Sequence, residues 1–147
     1  MSVQNTFDNT VRAIEKVYGA SMKTNIQLIE IAKNIFPQLG NNVYRNMEYQ
    51  FDKMKGKFSI INTDNGNGEH WLATFQRGKN IYVFDSFGRP TKNLIPVFYK
   101  RAIHAGYTII DTDYDADQRD EQVDCGIRAL SWCITCHYKG IKYALKI

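Results

Sequence analysis

The sequence predicts an α+β fold, because the spacing of its apolar residues changes along the 147-residue chain. Up to Pro37, apolar residues recur every three or four positions, which is typical of amphipathic helices. Between 57 and 87, runs rich in aromatic and β-branched residues alternate with turns, which is typical of strands. Since 44% of the residues are hydrophobic, the chain can bury one core. We therefore expect a single domain over 1–147, with a mostly antiparallel sheet flanked by helices.

Helices are predicted throughout the first 55 residues. A helix over 6–18 should end at Gly19, because glycine favours helix ends. A second should begin after Thr24, a good N-cap residue, and stop before Pro37. A third is predicted over 43–54.

The next part of the chain reads as strands and helices in alternation. A strand at 57–64 is followed by a predicted hairpin of 70–76 and 80–87, joined through the turn at 77–79. The remaining predicted elements are a helix between Pro90 and Gly106 with Pro96 in its first turn, a strand at 107–113, and a helix from Cys125 to Gly140.

Charge is distributed unevenly along the chain. The net charge is +4, yet 111–124 holds seven of the 15 acidic residues and carries −6, which leaves +10 on the rest. A body this basic is suited to bind a polyanion, and the cluster Lys53, Lys55 and Lys57 is the predicted DNA contact. The alternative is an ordinary solvated surface with scattered lysines. No leader peptide or membrane span is visible, so we expect a protein that is not secreted and contacts no membrane. We also expect it to be a monomer.

All three cysteines lie near the C-terminus, in "QVDCGIRALSWCITCHYKG". The stretch "CITCH" matches the sequence motif of a haem attachment site. Its cysteines, Cys133 and Cys136, however, fall within the last predicted helix and fit its buried face. A zinc site lacks further ligands at metal spacing. The acidic segment lacks the glycine and glutamate of a calcium loop. We therefore expect no metal, and no cofactor that the chemistry requires.

One constellation suits nucleophilic catalysis. In the predicted hairpin, paired residue numbers sum to about 156, which places His70 next to Asp85; a carboxylate there would orient the imidazole. Cys125 opens a helix, where backbone N–H groups favour a thiolate, and Gly126 leaves room for a substrate backbone. Gln118 precedes that helix and would help to bind an oxyanion, with Gln122 as a rival for this role.

These residues, read as "GEHWLA", "YVFDSFGR" and "DCG" in that order, resemble the adenain family and, more distantly, the SUMO- and ubiquitin-like-protein proteases. The resemblance implies a papain-like variant whose nucleophile lies at a helix N-terminus, with 57–140 as catalytic core. By position it assigns the base to His70, the orienting acid to Asp85, the oxyanion amide to Gln118, the nucleophile to Cys125 and a substrate-channel aromatic to Trp71.

The same resemblance implies what such an enzyme would do. We expect a cysteine endopeptidase that cleaves viral capsid or core precursors at glycine-containing sites during virion maturation, within the virion or the host cell. Stimulation by DNA or by a viral peptide is a further expectation. Two alternatives stay open: a protease that removes ubiquitin or SUMO from host conjugates, and a non-catalytic DNA- or capsid-binding module.

Overall fold

A computed structural model describes residues 2–64, 70–112 and 124–147. Six α-helices and three short 3-10 turns lie within these ranges. The helices are α1 (Val3–Tyr18), α2 (Asn25–Ile35), α3 (Thr91–Leu94), α4 (Pro96–His104), α5 (Cys125–Lys139) and α6 (Ile141–Ala144), and the 3-10 turns are Pro37–Leu39, Asn46–Glu48 and Phe51–Lys53. In this part of the chain, no helix combines the length and apolarity that crossing a membrane requires.

Within the described residues, five strands form one mixed sheet in the order of the sequence. The strands are β1 (Val43–Arg45), β2 (Phe58–Asn62), β3 (Trp71–Arg77), β4 (Asn80–Phe84) and β5 (Thr108–Asp111). The two central pairings, β2 with β3 and β3 with β4, are antiparallel, whereas both edge strands run parallel to their neighbours. The fold is therefore α+β, as the sequence predicts.

Two sequence predictions are wrong here. The predicted helix at 43–54 is replaced by β1 and two 3-10 turns, because Val43 pairs with Ile60 and the Asn46 side chain bonds to the carbonyls of Asn62 and Thr63, each at 3.0 Å. Such side-chain bonds compete with helix formation. The sheet is also not mostly antiparallel, since β1 adds one parallel pairing and β5, returning after α3 and α4, adds another.

The N-terminal helices begin at side-chain caps. Ser2 accepts a bond from the Asn5 N–H at 3.1 Å at the start of α1. At the start of α2, Thr24 and Gln27 exchange bonds as a capping box, each side chain accepting from the other residue's backbone. The predicted N-cap at Thr24 is thus confirmed.

The two faces of the sheet are covered by different helices. Alternate residues of β3 point to opposite faces: Trp71 and Ala73 belong to a core shared with α1, α2 and α5, whereas Leu72 belongs to one shared with α4. In the first core, Phe7 of α1 packs edge-to-face on Phe84 at 5.5 Å, and Phe84 stacks on Trp132 of α5. This layering fixes the start of α5 against the ends of the central strands.

Candidate active site

Three residues predicted for catalysis meet at one end of the central hairpin. His70 immediately precedes β3, Asp85 immediately follows β4, and Cys125 is the first residue of α5. Ala73 pairs with Phe84, so the register differs by one residue from the predicted pairing. The predicted adjacency of His70 and Asp85 is nevertheless found, because the chain turns sharply after β4.

A short hydrogen bond joins His70 to Asp85. Nε2 of His70 lies 2.5 Å from Oδ1 of Asp85, and the two side chains are 12% and 3% exposed. Burial disfavours the imidazolium, but the bonds to Asp85 and to the Cys125 thiol outweigh it, so the pKa of His70 lies above its ordinary 6.5. Burial likewise opposes the Asp85 carboxylate, yet His70 and Arg89 lower the pKa of Asp85 to about 2. The ionised carboxylate therefore accepts a hydrogen bond from the Nε2–H group of His70.

Asp85 is held by the loop that follows it. Its oxygens accept the Phe87 N–H at 3.2 Å and the Arg89 N–H at 2.9 Å. The Arg89 guanidinium adds a bond from Nε at 2.8 Å and lies over the Phe87 ring. Arg89 is absent from the sequence predictions, although an arginine four residues after a buried acid is a signal of such an ion pair. Arg89 neutralises the carboxylate and fixes the orientation that His70 uses.

The Cys125 thiol forms a hydrogen bond with the same imidazole. Because Nε2 is bonded to Asp85, Nδ1 is the ring nitrogen left for the thiol, whose hydrogen bond contributes to the raised pKa of His70. Cys125 is 5% exposed and lies at a helix N-terminus, where free N–H groups favour an anion. The pair is thus arranged so that a proton can pass from sulfur to nitrogen.

The other two cysteines occupy a different environment. Cys133 and Cys136 are buried in the middle of α5. Burial raises the pKa of Cys136 to about 12 and that of Cys133 well above its ordinary 9.0. Both thiols therefore stay protonated at neutral pH, and the expectation that Cys133 and Cys136 lie on the buried face of the last helix is confirmed.

Trp71 and Gly126, the predicted substrate-binding residues, are packed against each other. Trp71 is 1% exposed, and its indole N–H donates to the Lys23 carbonyl at 3.0 Å. A β-carbon on Gly126 would lie 3.2 Å from Cδ1 of Trp71 and 3.2 Å from both methyl groups of Leu28. Gly126 thus lets α5 approach β3 and α2 closely, while contact of either residue with a substrate stays a prediction.

Replacing Gly126 with alanine is expected to destabilise the protein, by about 1–2 kcal/mol in the free energy of unfolding. Alanine favours helices over glycine by roughly 1 kcal/mol, but the added methyl group meets Leu28 and Trp71, both fully buried. Chemical denaturation measures the effect, and Gly126→Ala combined with Leu28→Ala should cost less than the sum of the single changes. A stabilised Gly126→Ala variant would show that the contact relaxes freely.

The remaining predicted site residues lie elsewhere. Gln118 and its rival Gln122 fall outside the described residues. Lys53, Lys55 and Lys57 are exposed beside Gln76, six residues along β3 from His70 and hence about 20 Å away. They are not brought to the cysteine, and DNA contact stays a prediction. Within 2–64, 70–112 and 124–147, no three His, Cys, Asp or Glu side chains form a metal-binding group.

The Cys125 thiol, the His70 imidazole and the Asp85 carboxylate thus form a line of hydrogen-bonded groups, with the thiol at a helix N-terminus. Such an arrangement can generate a nucleophile, stabilise an oxyanion with backbone N–H groups and return a proton to a leaving group. No protein-family model matches the chain, and no curated protein matches it.

Proposed function

We propose that the protein is a cysteine endopeptidase that acts by acyl transfer. The observation that carries the proposal is the buried His70 ring, whose Nε2 lies 2.5 Å from Oδ1 of Asp85 and which also hydrogen-bonds to the Cys125 thiol. Neither a structural carboxylate nor a structural thiol requires this chain of contacts. A nucleophilic cysteine uses each part of it, because a nearby imidazolium favours the thiolate and the carboxylate holds that imidazolium in place.

The reaction follows from the positions of these atoms. The Cys125 thiol gives its proton to Nδ1 of His70, and the sulfur attacks the scissile carbonyl carbon. The Cys125 N–H, with the side-chain amide of Gln118 in the proposed role, binds the tetrahedral oxyanion. Collapse breaks the C–N bond as the imidazolium protonates the leaving amine. Water, deprotonated by His70, then attacks the thioester and regenerates the thiol.

The substrate class is the part of the proposal that rests on resemblance. The order His70, Asp85, Cys125, together with the flanking "HW", "FDSFG" and "DCG", is similar to the adenain family. We accordingly propose viral structural precursors as substrates, cut at glycine-containing sites during virion maturation. Activation by DNA through Lys53, Lys55 and Lys57 belongs to the same proposal.

Selective alkylation of the thiols tests the proposed function. Wild type and His70→Ala would each receive limiting iodoacetamide at pH 6, followed by mass mapping of peptides that contain Cys125, Cys133 and Cys136. We expect Cys125 to react at least about tenfold faster than the other two, since only a thiolate attacks iodoacetamide at that pH. That preference should disappear in His70→Ala.

Cys133 and Cys136 serve as internal controls, because both are buried thiols of the same helix. Equal, slow labelling of the three cysteines in wild type would contradict the proposal. So would fast labelling of Cys125 that is unchanged in His70→Ala, because the thiol would then not depend on the imidazole.

A further inference from the structure

The residue before the nucleophile is an acid held in a buried ion pair. Asp124 is the N-cap residue of α5 and has an exposed side-chain fraction of 7%. Its Oδ1 lies 3.0 Å from Nε of Arg128, one turn along the same helix. The ion pair fixes the first turn of α5, and Cys125 is the first residue of that turn.

A second acid reaches this ion pair from the N-terminal helix. Glu15 of α1 forms a side-chain hydrogen bond with Asp124, and α1 packs along α5. The other carboxyl oxygen of Glu15, Oε1, is buried without a hydrogen-bond partner among the described residues. Two carboxyl groups can bond to each other only when one carries a proton. Arg128 pairs with Asp124, so the proton resides on Glu15.

We propose that protonated Glu15 donates a hydrogen bond to Asp124 across the contact between α1 and α5, and that this link positions Cys125. Glu15 is then a positioning residue that acts through Asp124 and contacts no substrate. The idea rests on the proposed function, since Cys125 must be the nucleophile for its position to matter. It also gives α1, in which the sequence shows no catalytic motif, a part in the active site.

The charges around Glu15 set the pH at which the link breaks. The bond to Asp124, burial and the Asp124 charge raise the pKa of Glu15 from 4.5 to about 7, against the opposing charges of Arg128 and Lys23. Because the pKa of Glu15 is raised by folding, its hydrogen bond to Asp124 stabilises the folded protein fully below about pH 4.5. This stabilisation is lost as the pH rises through about 7. Above that pH two carboxylates face each other beside Cys125, and the added negative charge opposes a thiolate there.

The test measures the rate of Cys125 alkylation by iodoacetamide from pH 5.5 to 8.5 in wild type and in Glu15→Gln, which retains the size and bonding of Glu15 without its titration. In wild type we expect a step near pH 7 that lowers the rate about two- to fivefold. In Glu15→Gln the step should be absent. The matched control is Glu30→Gln, because Glu30 is an exposed glutamate on α2, and it should retain the step.

A second readout requires no reactive cysteine. Between pH 6 and 8, the melting temperature of wild type should fall relative to that of Glu15→Gln. If Glu15→Gln does not fold, Asp124→Asn replaces it, since removing the Asp124 charge should also remove the step near pH 7 and lower the pKa of Glu15.

The outcomes separate the two proposals. A fast-reacting Cys125 with the same pH profile in wild type and Glu15→Gln would overturn the positioning role and leave the protease proposal intact. A slow Cys125 at every pH would overturn the protease proposal. In that case, an equal pH dependence of the melting temperature in wild type and Glu15→Gln would overturn the Glu15–Asp124 hydrogen bond as well.

Discussion

Cys125→Ala is expected to abolish peptide cleavage, with kcat falling by about 10⁴-fold or more. The methyl group has no lone pair to attack a carbonyl, and no other thiol is placed to substitute for it: Cys133 and Cys136 are buried in α5 with strongly raised pKa values. The fold should be retained, because alanine favours helices and Cys125 opens α5. Removing one sulfur thus separates chemistry from structure.

Cleavage of a diverse peptide library, read by mass spectrometry, measures this effect without assuming a substrate sequence. Cys136→Ala is the matched control, since it removes a buried thiol from the same helix and should leave the cleavage rate unchanged. Glycine-containing cleavage sites in the wild-type digest would also support the proposed specificity. If Cys125→Ala cleaved the library at the wild-type rate, the nucleophile would have been assigned to the wrong residue.

Local sequence signals predicted most of the elements that build the site. The turn at 77–79 joins two runs of β-branched and aromatic residues, and β3 and β4 do pair through it. Thr24, Gly19 and Gly140 mark helix ends because capping depends on neighbouring residues. Pro96 lies in the first turn of α4, as expected from its fixed φ.

Non-local pairing accounts for what the sequence did not predict. Strand β1 has only three residues and gains its hydrogen bonds from β2, so its own composition carries no strand period. The residues just after β1 form no α-helix, and Tyr49, Phe51 and Met54 all belong to the second core. Parallel pairing at both sheet edges likewise depends on how the connections cross the molecule, which spacing along the chain does not encode.

The same distinction applies to the site. His70, Asp85 and Cys125 were predicted from local signals and from the resemblance to the adenain family: His70 opens a strand, Asp85 lies on the partner strand of the hairpin and Cys125 opens a helix. The role of Arg89 was also predictable, because it lies four residues after Asp85 in the sequence. Glu15 was not, because it meets Asp124 only when α1 packs on α5. Residues that act through a tertiary contact leave no mark in the surrounding sequence.

The second large effect is expected for Asp85→Asn, which should lower kcat/KM by about 10²–10⁴-fold near neutral pH. Asparagine can still accept a bond from Nε2–H, but it lacks the charge that stabilises the imidazolium. Without that charge, burial dominates at His70 and its pKa falls. Arg89, which donates to both oxygens of Asp85, would also lose its ion-pair partner beside the site.

The pH profile separates this electrostatic role from a structural one. The raised pKa of His70 means that its protonated form is retained above pH 6.5 and is lost as the pH rises through that higher value. The Asp85 charge contributes above 3.8 and is lost only as the pH falls towards about 2. Asp85→Asn should therefore move the alkaline limb of kcat/KM for peptide cleavage to lower pH, because cleavage needs the imidazolium to protonate the leaving amine. The exposed Asp52 supplies the control, since Asp52→Asn should leave the limb in place. An unmoved limb in Asp85→Asn would mean that Asp85 serves only to shape the loop after β4.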